Sequence, residues 1–210
     1  MPPDYDTDPE RWKSWQPQRD VHEIVASELS GPTLDIGCGD GRLASLLSHD
    51  VSWVGLDSSR TQLAANPRRP VVLADMRQLP FRDGVFAEVT HLWCLYHNAD
   101  PLDAIREAWR VLRPGGRYSA CTAARTNDPE LMWDGYPPTP FDAEEAEAIV
   151  SSVFARAEPL SWDDKYFPLQ TREEVRAYCR HHSIPPERAE AAEVPLWLTK
   201  RGVLVRATKT

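Results

Sequence analysis

Apolar residues follow two rhythms along this chain. Short runs of β-branched or apolar positions read as strands: Thr33 to Ile36, Ser52 to Leu56, Val71 to Ala74, Val85 to Trp93 and Tyr118 to Ala123. Between them apolar positions recur at helical spacing. Leu43, Leu46 and Leu47 mark Arg42 to Ser48, and Leu102, Ile105, Trp109 and Leu112 mark Pro101 to Leu112. Asp100 followed by Pro101 supplies an N-cap and a preset first turn for the second helix. Strands alternating with helices predict an α/β fold, a parallel sheet with helices on both faces.

The second half changes character. Thr126 to Phe141 is rich in Pro, Asp and aromatics and reads as a long excursion. Asp142 with Glu145, and Thr171 with Glu174, have capping-box spacing, the latter before a helix over Val175 to His181. Gly202 to Ala207 reads as the last strand. No second domain, internal repeat or low-complexity tract is evident, so residues 1–210 read as one domain.

The chemistry sits at the ends of the first strands. Leu34-Asp35-Ile36-Gly37-Cys38-Gly39-Asp40-Gly41-Arg42 runs from strand through a glycine-rich turn into a helix. Such glycines let a ligand approach the backbone closely. A dinucleotide fingerprint would be GxGxxG, with helix amides facing a pyrophosphate. Here the third Gly comes one residue early, and Asp35 would repel a pyrophosphate. The same carboxylate suits a ligand carrying ammonium and sulfonium charges. Asp57, at the end of the second strand, can accept from two ribose hydroxyls at once. Ser58 follows it, and Ser58 or Ser59 could instead cap a helix there. Asp75 after the third strand could accept from an adenine amino group, with Met76 against the base. Each acid alone is an ordinary turn residue. Three of them after three successive strands converge on the crevice where open α/β sheets bind ligands.

These segments resemble the class I S-adenosylmethionine (SAM)-dependent methyltransferases, in their small-molecule subgroup. LDIGCGDG is similar to that family's first motif, VGLD to its ribose-binding acid and ADMRQLPF to its adenine segment. CLYHNADPLDAIREAWRVLRPGGRY is similar to its fourth-strand exit, following helix and turn into the fifth strand. The resemblance covers roughly Pro32 to Thr126. It implies a Rossmann-like, seven-stranded, mostly parallel sheet with an antiparallel last strand, and SAM as cofactor. It places Asp35, Gly37, Cys38, Gly39 and Gly41 around the methionine part, Asp57 and Ser58 at the ribose, and Asp75 and Met76 at the adenine. Trp93, Cys94, Leu95, Tyr96 and His97 then lie beside the transferred methyl. His97 is the base candidate, because imidazole titrates near neutral pH, and Tyr96 is a second catalytic candidate. Packing against the cofactor loop is the plainer role for His97.

The resemblance also implies acceptor-side insertions over 125–141 and 160–170, and residues 1–20, where Trp12 and Trp15 would share one helical face, read as a lid or, alternatively, as a permanent cap on the core. Their aromatics, Trp12, Trp15, Trp133, Tyr136, Trp162, Tyr166 and Phe167, suit an organic small molecule. A dimer interface or a satellite core would use the same residues.

Composition trims the alternatives. The net charge of -8 over 210 residues disfavours nucleic acid as a partner, because phosphate backbones repel it. Cys38, Cys94, Cys121 and Cys179 include no CxxC pair, so free thiols are expected, with no metal site. With no basic–apolar leader and no spanning run, the expected setting is cytoplasmic, away from membranes. The expected protein is a methyltransferase, monomeric or homodimeric, acting on oxygen or nitrogen of a small-molecule acceptor. An RNA base methyltransferase and a non-catalytic SAM-binding protein remain the alternatives.

Overall fold

A computed structural model describes residues 21–132 and 134–210. The readings for residues 1–20, including Trp12 and Trp15, and for Trp133 lie outside the described residues. Seven strands form one sheet in the order β3-β2-β1-β4-β5-β7-β6. They are β1 (Thr33–Ile36), β2 (Trp53–Asp57), β3 (Val71–Leu73), β4 (Phe86–Leu92), β5 (Leu112–Ala123), β6 (Ala157–Leu169) and β7 (Leu196–Thr208). Strand β1 pairs in parallel with β2 and β4, β2 with β3, and β4 with β5. Hydrogen bonds from Gly115 N–H to Lys209 O (2.7 Å) and from Ala124 N–H to Arg201 O (3.0 Å) set β7 antiparallel to β5. This is the expected Rossmann-like topology, with its order reversing between β1 and β4.

The helices are α1 (Val21–Glu28), α2 (Arg42–Leu46), α3 (Arg60–Ala65), α4 (Pro101–Val111), α5 (Ala143–Phe154), α6 (Arg172–His181) and α7 (Pro186–Ala191). Asp100 caps α4 as expected, its carboxylate accepting from Leu102 N–H at 3.0 Å, with Pro101 in the first turn. The stripe on α4 is rotated from the expected one. Ala104, Ile105, Ala108 and Val111 are fully buried, whereas Trp109 is 38% exposed with the Lys209 ammonium 3.8 Å from its ring centroid. Small alanines let α4 sit close on the sheet, and the large indole turns outward to cover a cation. Asp142 starts α5 but makes no capping bond, because Thr139 N–H and hydroxyl already donate to its carboxylate. Thr171 does cap α6, accepting from Glu174 N–H at 3.2 Å.

The largest correction concerns 160–170, read as an insertion. Residues 160–169 lie in β6, with Trp162, Tyr166 and Leu169 buried. The charged run Asp163-Asp164-Lys165 between those anchors conceals the strand. Likewise β5 begins at Leu112 and β7 at Leu196, six residues before their apolar runs.

The contacts group into two compact units, where the sequence reads as one domain. One comprises 21–122, 139–160 and 203–210, and the other, among the described residues, 123–138 and 161–202. The first holds a core including Leu34, Ile36, Leu56, Val89, Ile105, Tyr118, Phe141, Val150 and Val205. The second has its own core, with Leu131, Leu169, Val175, Tyr178, Ile184 and Leu198. Inside it Lys200 is buried, donating to the Asp128 carboxylate and to the Tyr178 hydroxyl. Strands β6 and β7 each pass through both units. No helix among the described residues is long and apolar enough to cross a membrane.

Candidate active site

The reversal between β1 and β4 opens the sheet at its carboxyl edge, and the sequence puts its acids there. Asp35 is buried within β1 at 3% exposure. Its Oδ1 accepts from the Thr90 hydroxyl at 2.9 Å, across the β1–β4 register that aligns the two residues. Its Oδ2, and the Trp53 indole N–H, are buried without a hydrogen bond of normal geometry. Burial pushes the Asp35 carboxyl up to about 7. The Thr90 hydroxyl and the nearby Trp53 indole pull the other way, and the Asp57 charge adds to the rise. A buried carboxylate oxygen without a well-formed hydrogen bond could accept from a cationic group.

The turn after β1 is pinned on every side. Gly37 and Cys38 N–H both donate to Leu56 O, at 2.7 and 3.1 Å. Gly37 has φ +70, and a β-carbon on it would stand 2.5 Å from the Cys94 β-carbon. Gly41 has φ +95 and ends the turn at the start of α2. A β-carbon on Gly39, by contrast, would meet its nearest neighbour, Gln62 Oε1, at an ordinary contact distance of 3.6 Å. Gly55 on β2 is roofed by the Trp53 ring and the Cys38 thiol. Cys38 and Cys94 are buried, and desolvation raises the pKa of both thiols, so neither is a ready nucleophile. All four cysteines are free.

The structure brings Asp57 to the same turn. Its Oδ2 accepts from Gly39 N–H at 3.0 Å and its Oδ1 from Ser59 N–H at 2.8 Å. Each carboxylate oxygen keeps a lone pair for a ribose hydroxyl. Ser59 caps α3, accepting from Gln62 N–H, while Ser58 is exposed beside it. Asp75 is exposed after β3 and forms a fork with Arg77, with Nη2 to Oδ2 at 2.6 Å. Met76 packs against the core of the first unit. The segment after it is braced from α4. Glu107 accepts from Leu79 N–H at 2.7 Å, and Arg110 donates to Leu79 O and Phe81 O at 3.1 and 2.8 Å.

Strand β4 ends in an uncommon conformation. Trp93 has φ +59, which a bulky residue adopts only under constraint from its surroundings, a frequent mark of functional sites. Tyr96 and His97 follow in a short 3₁₀ turn with ring centroids 4.4 Å apart. Desolvation lowers the His97 pKa, opposed by the Asp57 charge, so the ring is neutral and able to accept a proton at neutral pH. The carboxylate oxygens of Asp142, Glu144 and Glu145 lie within 4.8 Å of one another at the start of α5, a grouping the sequence did not single out.

Sequence reasoning missed Trp53, Thr90 and Asn66. Trp53 and Thr90 read as strand residues, and only the β1–β2 and β1–β4 registers bring them to Asp35. Asn66 follows α3 without any motif, yet donates to Gly39 O at 3.2 Å.

Comparisons with known proteins bear on the fold and the family. A family model described as "Methyltransferase domain" matches residues 34–120. Among curated proteins, the chain is 31% identical over 169 residues to a 27-O-demethylrifamycin SV methyltransferase from Amycolatopsis mediterranei, covering 75% of this chain and 55% of that protein. It is 30% identical over 132 residues to a demethylmenaquinone methyltransferase from Symbiobacterium thermophilum, covering 55% and 51%. The chain thus spans about half the length of these curated relatives. Among solved structures, the YcgJ protein of Bacillus subtilis aligns with a TM-score of 0.66 at 17% identity, covering 90% of this chain and 97% of that one. The [4+2]-cyclase SpnF aligns with a TM-score of 0.62 at 20% identity, covering 90% and 81%.

Proposed function

We propose that this chain, whose residues 34–120 match a methyltransferase domain, is a class I SAM-dependent methyltransferase that transfers a methyl group from SAM to oxygen or nitrogen of a small organic acceptor. The observation that carries this reading is the buried, incompletely satisfied Asp35 carboxylate beside a glycine turn joined to Asp57. It would hold the cationic methionine end of SAM while Asp57 holds the ribose. Asp75 would accept from the adenine amino group, giving up part of its fork to Arg77, and Met76 would line the base.

When bound, SAM supplies an electrophilic methyl on a sulfonium with a neutral leaving group. The chain's own task is alignment and, for a protonated acceptor, removal of one proton. His97, at the β4 exit, would be the residue to take that proton onto a ring nitrogen, while SAM would supply the methyl group. Small-molecule acceptors are favoured by the relatives, whose names specify a rifamycin and a demethylmenaquinone. The -8 charge disfavours RNA.

Titration calorimetry with SAM and with NAD tests the cofactor site. SAM binding without NAD binding is expected, and the reverse would refute the site assignment. Because a [4+2]-cyclase shares the fold, transfer itself needs its own assay. Incubation with SAM and quinol, phenol and amine acceptors should yield S-adenosylhomocysteine and a product heavier by one methyl. Asp57→Ala should weaken SAM binding by about 2 to 3 kcal/mol. His97→Gln should lower kcat by roughly 10² or more and flatten the pH profile, leaving SAM affinity intact.

A further inference from the structure

The turn that faces the cofactor is held together from behind by a two-residue clamp. Helix α2 has only five residues and no side-chain N-cap, so it cannot stand on local propensity. Its carboxyl end is tied down by Arg68, whose guanidinium donates to the carbonyls of Ala44, Leu47, Ser48 and Val51 at 2.7 to 3.2 Å. The amino end is tied down by Asn66, which is 1% exposed.

The orientation of the Asn66 carboxamide is fixed. Its Oδ1 accepts from Arg68 N–H at 3.0 Å, which leaves the Nδ2 end to donate to Gly39 O at 3.2 Å, with the Cys38 sulfur at 3.7 Å. The fit is close: a β-carbon on Gly41 would stand 2.5 Å from Asn66 Oδ1. On its other side Gly39 donates its N–H to Asp57 Oδ2. Gly39 thus has its carbonyl held by the end of α3 and its N–H spent on the end of β2. Gly39 has φ +49, and of the three glycines in the turn it is the one where an added β-carbon meets no close clash, its nearest neighbour being Gln62 Oε1 at 3.6 Å, so the turn has room to rotate there.

We propose that Asn66 is a positioning residue for the cofactor's ribose, setting the Gly39 peptide groups and through them the rotamer of Asp57. This rests on the SAM reading of the site. Asn66 touches no ligand; it restricts the turn so that Asp57 presents its free lone pairs in one direction. Without it, the Gly39–Asp57 bond persists in many turn conformations, and the carboxylate is no longer preorganised.

The test is a double-mutant cycle read by calorimetry with SAM. Asn66→Ala should raise the SAM Kd about tenfold, the scale of one lost hydrogen bond in a preorganised site. In an Asp57→Ala background the same change should alter Kd by less than about twofold, because the residue it works through is gone. In turnover, Asn66→Ala should raise KM for SAM and leave kcat at saturating SAM unchanged. Lys200→Met, in the core of the second unit, serves as the control, lowering the melting temperature while leaving the Kd of the folded protein near that of the parent. If Asn66→Ala does not fold, Asn66→Ser, with a small hydroxyl donor in the same space, carries the same cycle. An equal loss of affinity in both backgrounds, or no loss in either, overturns the proposal. Absence of SAM binding by the parent protein would instead overturn the functional reading beneath it.

Discussion

Asp35 is held between two demands. Burial raises its pKa to about 7, whereas an unfolded Asp titrates near 4. The folded protein therefore binds more protons than the unfolded chain between those values. Its ligand-free stability should fall as pH rises from about 4 to about 7, then level off. A cationic ligand favours the ionised carboxylate, so SAM binding near pH 6.5 should release a proton. Calorimetry in two buffers of different ionisation enthalpy checks this: identical apparent enthalpies would contradict it. Asp35→Asn should abolish the release and flatten the stability slope while weakening SAM binding. Asp35 was legible in the sequence because its place before a glycine turn is a local pattern. Its perturbation was not, because Trp53 and Thr90 reach it only through strand pairing.

At the scale of elements, the turn from β1 to α2 shows what the sequence could and could not announce. Three glycines within five residues indicated tight backbone geometry. They did not indicate that Cys94 would fill the space where Gly37 lacks a side chain. Gly37→Ala should accordingly destabilise by about 2 to 4 kcal/mol, adding left-handed backbone strain to an overpacked contact with Cys94. Thermal denaturation measures it, and a loss below about 0.5 kcal/mol would mean the turn relaxes freely. Helix α4 was legible through Asp100 and Pro101, whose capping chemistry is local. Strand β6 was not, because its anchors Trp162, Tyr166 and Leu169 stand three and four residues apart, with charge between them, in place of a period of two.

At the scale of the molecule, each of the two units has a core of its own, and the second encloses an ion pair. Removing one partner of a buried pair leaves a charge without compensation. Lys200→Met should cost about 3 to 5 kcal/mol, and Lys200→Met with Asp128→Asn clearly less, in denaturant titrations. Equal losses would show that Lys200 matters for its packing alone. The first unit was largely legible because its strand–helix alternation runs in chain order. The second was not, because its parts come from two separated stretches. Among the described residues, three of the four boundaries of 123–138 and 161–202 fall in or at the end of strands: the chain leaves the first unit as β5 finishes, leaves it again near the start of β6, and returns midway along β7. That interleaving bears on how such a gene can diversify. A recombination breakpoint cannot excise the second unit as a cassette, since one exchange would have to replace two stretches together and rejoin β6 and β7 in register.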